Sequence, residues 1–192
     1  MKQQSSARRV RRKPRSQTAC PQPPAGDAQV SPLCAYLDIE TTGLTPQESE
    51  LTVIGICRDD GEKHEVIQLV GDGITAEALI EALRGVHTIY TYNGQRFDLP
   101  FIRVRLGVDV PKRHRHHDLM FDCWNRDLYG GFKGVERKLG IRRETVGIDG
   151  FMAVRLWYRY VNDSDEDALR LLLEYNREDV VNLKALRHKL GV

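Results

Sequence analysis

Three short apolar runs, LCAYLDIE, LTVIGICRDD and KHEVIQLV, follow one another from Leu33 with only Gly, Pro and acid-rich segments between them. Their brevity and their β-branched and aromatic content read as strands, and their close succession predicts antiparallel pairing. TAEALIEALRG then takes helical spacing, with Thr75 as cap, Glu77 in the first turn and Gly85 as the stop. HTIYTYN is a fourth strand, a second helix occupies residues 98–107, and residues 114–118 form a fifth strand. GFKGVERKLG, FMAVRLWYRYV and a last helix over about 165–189 complete the chain. A sheet made early and helices made later predict an α/β fold, a central mixed five-stranded sheet flanked by helices.

Residues 1–32 differ in kind. They hold Lys2, Arg8, Arg9, Arg11, Arg12, Lys13 and Arg15 against one acid, Asp27, and include the stretch PQPPAG, which cannot continue a helix. Almost nothing there can be buried, so a disordered basic tail is expected ahead of one domain at 33–192. The tail is either a solvated leader or an arm on phosphates. The remainder carries 22 basic and 26 acidic residues, which excludes a globally basic nucleic-acid binder. Cys20, Cys34, Cys57 and Cys123 form no CxxC pair and have no His partner at zinc spacing, so neither a disulfide framework nor a structural zinc is expected. That usage suits a reducing, cytoplasmic setting. No apolar run approaches the length of a membrane span, and no membrane partner is expected.

Charge sits where apolar residues belong. The strand period of two puts Leu33, Ala35, Leu37 and Ile39 on one face of LCAYLDIE and Cys34, Tyr36, Asp38 and Glu40 on the other. Two like charges that close repel unless a cation lies between them or both are solvated on an edge strand. In the last helix Leu169, Leu172, Leu183, Leu186 and Leu190 share a stripe with Tyr175 and Asp179. A carboxylate in that seam is protonated, paired with a base or the nearby tyrosine, or bound to a cation. Asp98, between the turn at Gly94 and a helix that admits Pro100, reads by itself as a helix cap.

Taken together, DIETTGL, YNGQRFD and YNREDVV resemble the three motifs of the DEDD exonuclease superfamily, in order and at ordinary separations. The likeness runs from Leu33 to Val192, and GIDGFMAVRLWYRYV before LLLEYNREDVVNL is most similar to the small YprB-type ribonuclease H-like domains. Tyr175, four residues before Asp179, matches the DEDDy branch; Glu174 stands where the other branch has histidine. The resemblance implies a ribonuclease H-like fold and a 3′-5′ exonuclease, a phosphodiester hydrolase acting on a free 3′ end of DNA or RNA. It implies that Asp38, Glu40 and Asp179 hold one cation, and that Asp38 bridges to a second held through Asp98. Oxygen-only ligands suggest Mg2+ or Mn2+. Tyr175 would orient the attacking water, since a phenol of pKa about 10 is a poor base.

The same resemblance implies that Thr41, Thr42 and Leu44 clamp the terminal nucleotide, with Asn93 and Phe97 lining the other side. Turn and packing roles are the competing reading for all five, and Asn176 reads either as part of the site or as a helix-surface amide. In HRHHD a strand would align His114, His116 and Asp118 for a transition metal, or Asp118 would begin a DL turn into a helix. Trp157, Tyr158 and Tyr160, near Arg155 and Arg159, are either core or a stacking platform for bases. Two rival functions share the fold: a binding module without turnover, and a ribonuclease H-like endonuclease.

Overall fold

The computed structural model describes residues 32–192, so the expected basic tail lies, but for Pro32, outside the described residues. Five strands, β1 (Cys34–Thr41), β2 (Leu51–Asp59), β3 (His64–Val70), β4 (Thr88–Thr91) and β5 (Arg115–Asp118), form one sheet in the order β3-β2-β1-β4-β5. The first three pair antiparallel; β4 joins β1, and β5 joins β4, in parallel. The mixed five-stranded α/β sheet is as expected. Helices α1 (Ala76–Ala82), α2 (Asp98–Leu106), α3 (Leu119–Trp124), α4 (Phe132–Leu139), α5 (Gly150–Asp163) and α6 (Glu166–Leu190) flank it.

Thr75 caps α1 by accepting from Ala78 N–H at 3.1 Å, but the helix ends at Ala82, before the expected stop. Gly85 instead carries the following turn at φ +76°. Asp165 caps α6, its side chain accepting from Ala168 N–H at 3.0 Å, with Glu166 and Asp167 in the first turn and Arg187, His188 and Lys189 in the last. Each charge complements the helix dipole.

Strand β1 is central, and its two faces are both covered. Ala35, Leu37 and Ile39 pack with Leu79 and Leu83 beside α1 and with Phe101 and Ile102 of α2. Cys34 and Tyr36 pack with Val180, Leu183 and Leu186 of α6. Each such α6 side chain contributes roughly 1.5–3 kcal/mol by leaving water, enough together to hold polar neighbours in the same seam. An edge strand with solvated carboxylates is therefore ruled out.

Helix α6 lies unusually close to β2. The side chain of Asn176 occupies the space that a Cβ on Gly55 would need, and Gly55 stands opposite Asp38 in the β1–β2 register. That register slips between Glu40 and Thr41, a bulge that bends the strand just past the two acids.

Candidate active site

Strand β1 delivers Asp38 and Glu40 to one face, and α6 lays Asp179 over them. One carboxylate oxygen of each lies within 4.8 Å of the others. Glu40 is 6% exposed and Asp179 4%. Burial first, and then the charge of Asp179, lifts the Asp38 and Glu40 carboxyls well above their ordinary range. Three close oxygen donors, two of them buried and that of Asp38 half-buried, with raised proton affinity fit a hard divalent cation, which would replace the shared protons.

Asp98 approaches from the C-terminal end of β4. It is not the cap the sequence suggested: Phe97 holds the N-cap position, without a side-chain cap bond, and Asp98 is the first helical residue. The turn at Gly94 delivers this carboxylate onto β1 instead, where its Oδ1 accepts from Ile39 N–H at 3.2 Å. Ile39 lies between the two strand acids, so Asp98 is stitched to the site while standing outside the three-way cluster. Burial lifts its carboxyl to about 7, against the opposing pull of its own and the Ile39 N–H.

Tyr175 lies one turn before Asp179 and is buried. Burial, then the carboxylates of Asp179, Glu40 and Asp38, push its phenol far above its ordinary value, so it keeps its proton. Its oxygen accepts from Lys133 Nζ at 2.6 Å. Lys133 also donates to the Ile148 carbonyl at 2.5 Å, and burial lowers its own proton affinity.

Sequence reasoning missed Lys133. A signal existed, because a lysine in the first turn of α4 opposes the helix dipole and asks for another partner. It also missed Arg143, whose guanidinium donates to Asp179 Oδ1 at 2.5 Å and to both Glu136 oxygens at 2.7 and 3.0 Å. Glu178 fixes the loop that carries Arg143 by accepting from the backbone of Glu144 and Thr145 and from the Thr145 hydroxyl. No periodicity marks that loop.

Asn176 is fully buried, not a helix-surface amide. Its Nδ2 donates to Asp38 Oδ2 at 3.3 Å, and its Oδ1 accepts from Gln68 at 3.0 Å.

Asp38, Glu40, Tyr175 and Asp179 border a cleft of about 400 Å3, whose other walls include Thr41, Leu44, Phe97, Phe132, Lys133 and Val154. Leu44 is 83% exposed at its lip. Thr42 and Asn93 do not line it. Thr42 closes the loop after β1 by accepting from Glu50 N–H at 2.9 Å, and Asn93, at φ +64°, gives its N–H to Asp118 Oδ1 at 2.7 Å.

Asp118 also caps α3 through Met120 N–H at 3.1 Å, the DL turn anticipated as an alternative to a metal ligand. His114 lies before β5, its ring on the Val86 carbonyl, while His116 meets the Thr91 hydroxyl. Among the described residues these three form no metal cluster. Cys34, Cys57 and Cys123 are buried and unbridged.

YprB of Bacillus subtilis (strain 168), an uncharacterized protein, is 25% identical to this chain over 166 residues, 79% of the chain; the chain spans 40% of YprB's length. MJ0365 of Methanocaldococcus jannaschii, also uncharacterized, is 28% identical over 163 residues, 76% of this chain and 88% of that protein. Brucella melitensis NrnC bound to pGG shares the fold, with a TM-score of 0.55 at 22% identity over 88% of this chain and 78% of NrnC. The RNase_H superfamily pattern matches residues 35–191, nearly the whole described region, and the chain belongs to that superfamily.

Proposed function

We propose that this chain is a metal-dependent 3′-5′ exonuclease that hydrolyses phosphodiester bonds at single-stranded nucleic-acid ends. The carrying observation is that Asp38, Glu40 and Asp179 meet at one cleft with Tyr175, a turn before Asp179, lining the same cleft. The three acids would hold one divalent cation, Mg2+ or Mn2+, with Asp38 and Asp98 bordering a second. Such ions supply Lewis-acid stabilisation to the attacking and departing oxygens of an in-line displacement.

The chain's own groups do the rest. Burial and the neighbouring carboxylates push the Tyr175 phenol upward, which suits it to orient water by hydrogen bonding rather than to act as a base. Lys133 holds the phenol oxygen, which leaves the phenol O–H free to point into the cleft. Leu44 presents an apolar edge to the terminal base, and Phe97 and Thr41 bound the pocket beside it. NrnC, which shares the fold, was captured with pGG, consistent with a short strand end as ligand.

A 5′-labelled oligonucleotide with Mg2+ or Mn2+ is expected to give a one-nucleotide ladder shortening from the 3′ end. Internal fragments would mark a ribonuclease H-like endonuclease, and retention without cleavage a binding module. Asp179→Asn is expected to abolish cleavage, and an unchanged rate would remove the site assignment.

A further inference from the structure

We infer that the outer face of α5 is a track for the single strand behind the 3′ end, with Phe151 and Tyr158 as base-stacking positions; this rests on the exonuclease reading. Helix α5 packs inward through Ala153 and Leu156, with Trp157 half-buried against Gly71 and Tyr160. Its other side carries Phe151, Val154, Tyr158 and Val161 at three- and four-residue spacing, one stripe of a helix. Phe151 is 73% exposed, Tyr158 47% and Val161 54%. Trp157 thus packs with the core, Tyr160 is half-buried against the Trp157 ring, and Tyr158 is exposed.

Continuity and charge both point to nucleic acid as the occupant. Gly150 and Val154, at the near end of the stripe, line the cleft that holds the carboxylates. A strand leaving the cleft at that end meets Phe151 first and Tyr158 seven residues on, about 10 Å along the helix. That is the length of roughly three stacked nucleotides.

Charge is asymmetric in the same direction. Residues 133–159 carry seven Lys and Arg against three Asp and Glu, whereas residues 33–192 as a whole carry 22 against 26. Arg137, Lys138, Arg142 and Arg155 of that segment are exposed, Arg155 on α5 itself, whereas Lys133, Arg143 and Arg159 are already engaged by Tyr175, by Glu136 and Asp179, and by Asp165. Aromatic faces beside cations are what sequence-tolerant single-strand binding uses. A second copy laid on the same stripe fits less well, because Arg155 lies near its middle and a twofold pairing would bring two guanidiniums together.

The test is fluorescence anisotropy of labelled oligothymidylates, about 2 to 12 nucleotides long, on the full chain with Ca2+ in place of the catalytic ions. Wild-type affinity is expected to climb with length up to about five nucleotides and then level off. The Phe151→Ala/Tyr158→Ala double variant should flatten that climb, losing on the order of tenfold or more for the longer strands. Ile80→Ala, which trims an exposed residue of α1, should follow wild type. Photo-crosslinking of a 5-iodouracil strand to wild-type protein should label the peptides holding Phe151 or Tyr158, a readout independent of variant folding.

A double variant that keeps the full length dependence would overturn the track. So would one that loses self-association in sedimentation velocity while strand binding persists, which would make the stripe an interface between copies. Ladder formation without any length dependence would sink the track alone; absence of both cleavage and binding by wild type would sink the exonuclease reading with it.

Discussion

Arg143 donates to Asp179 Oδ1 at 2.5 Å, so the α6 carboxylate is held by a guanidinium that is itself clamped by Glu136. The Arg143 side chain is 10% exposed and that of Glu136 2%, which makes this a buried ionic cluster. It fixes one oxygen of Asp179 and leaves the other for a ligand, as outer partners of metal-bound carboxylates do.

Arg143→Met should therefore be costly without metal, because it strands Asp179 and Glu136 in a dry site. A loss of about 3–5 kcal/mol is expected in urea unfolding with EDTA. Mn2+ should restore part of it, while Arg143→Lys, which keeps the charge without the fork, should fall between. Equal stability of Arg143→Met and wild type in EDTA would show that the ion pair does not hold the site.

Tyr175 and Lys133 form one unit through their 2.6 Å contact. Tyr175→Phe and Lys133→Met are each expected to lower kcat on the order of 10²–10³-fold with little change in KM. The double variant should fall hardly further than either single one. Single-turnover kinetics at saturating metal measures this, and additive losses would separate their roles.

Proton affinity predicts a pH signature. Asp38, Glu40 and Asp98 all have folded-state affinities above their unfolded ones, Asp98 at about 7. The folded state binds more protons above the unfolded carboxyl range, so this stabilisation is full below about pH 4 and is lost as pH rises, the share of Asp98 through about 7. Metal-free Tm should fall between about pH 5 and about pH 8, each kcal/mol lost lowering it by about 2–4 °C. Asp98→Asn should flatten the upper part of the fall. Mg2+ should raise Tm more at the higher pH, because its ligands must be deprotonated. Thermal melts with EDTA or Mg2+ decide it, and a metal-free Tm that rises over this interval would contradict the assignment.

Gly55→Ala tests the approach of α6. Its Cβ would overlap the Asn176 side chain, so about 1–3 kcal/mol of destabilisation is expected from overpacking. Adding Asn176→Ala should recover stability by making room. It should not recover metal affinity by calorimetry, because the hydrogen bond to Asp38 is gone.

Much of this arrangement is legible in the sequence because it follows from periodicity. Alternation in β1 separates Leu37 from Asp38, helical spacing puts Asp179 in a leucine seam, and Thr75 and the acids at the start of α6 mark their helices. Asp98 misled because an acid at a helix start reads as a cap; here its carboxylate turns to the Ile39 backbone. Arg143 was hidden for another reason. It reaches the site from an irregular loop, where its contacts depend on Glu178 gripping that loop rather than on any local pattern. Asn176 stayed open between a site residue and a surface amide because no pattern on α6 shows that Gly55, lacking a side chain, makes room for it.

The site also has a birth order. Asp38 and Asn176 touch across 138 residues of chain, and a ribosome adding roughly 5–20 residues per second takes about 7–28 s to cover that distance. For that time the nascent sheet carries its two strand acids without the helix that supplies the third, and the Cys34–Tyr36 face waits uncovered. Chaperone protection of that bare face, and the absence of a complete three-acid cluster, should both last until α6 emerges and docks.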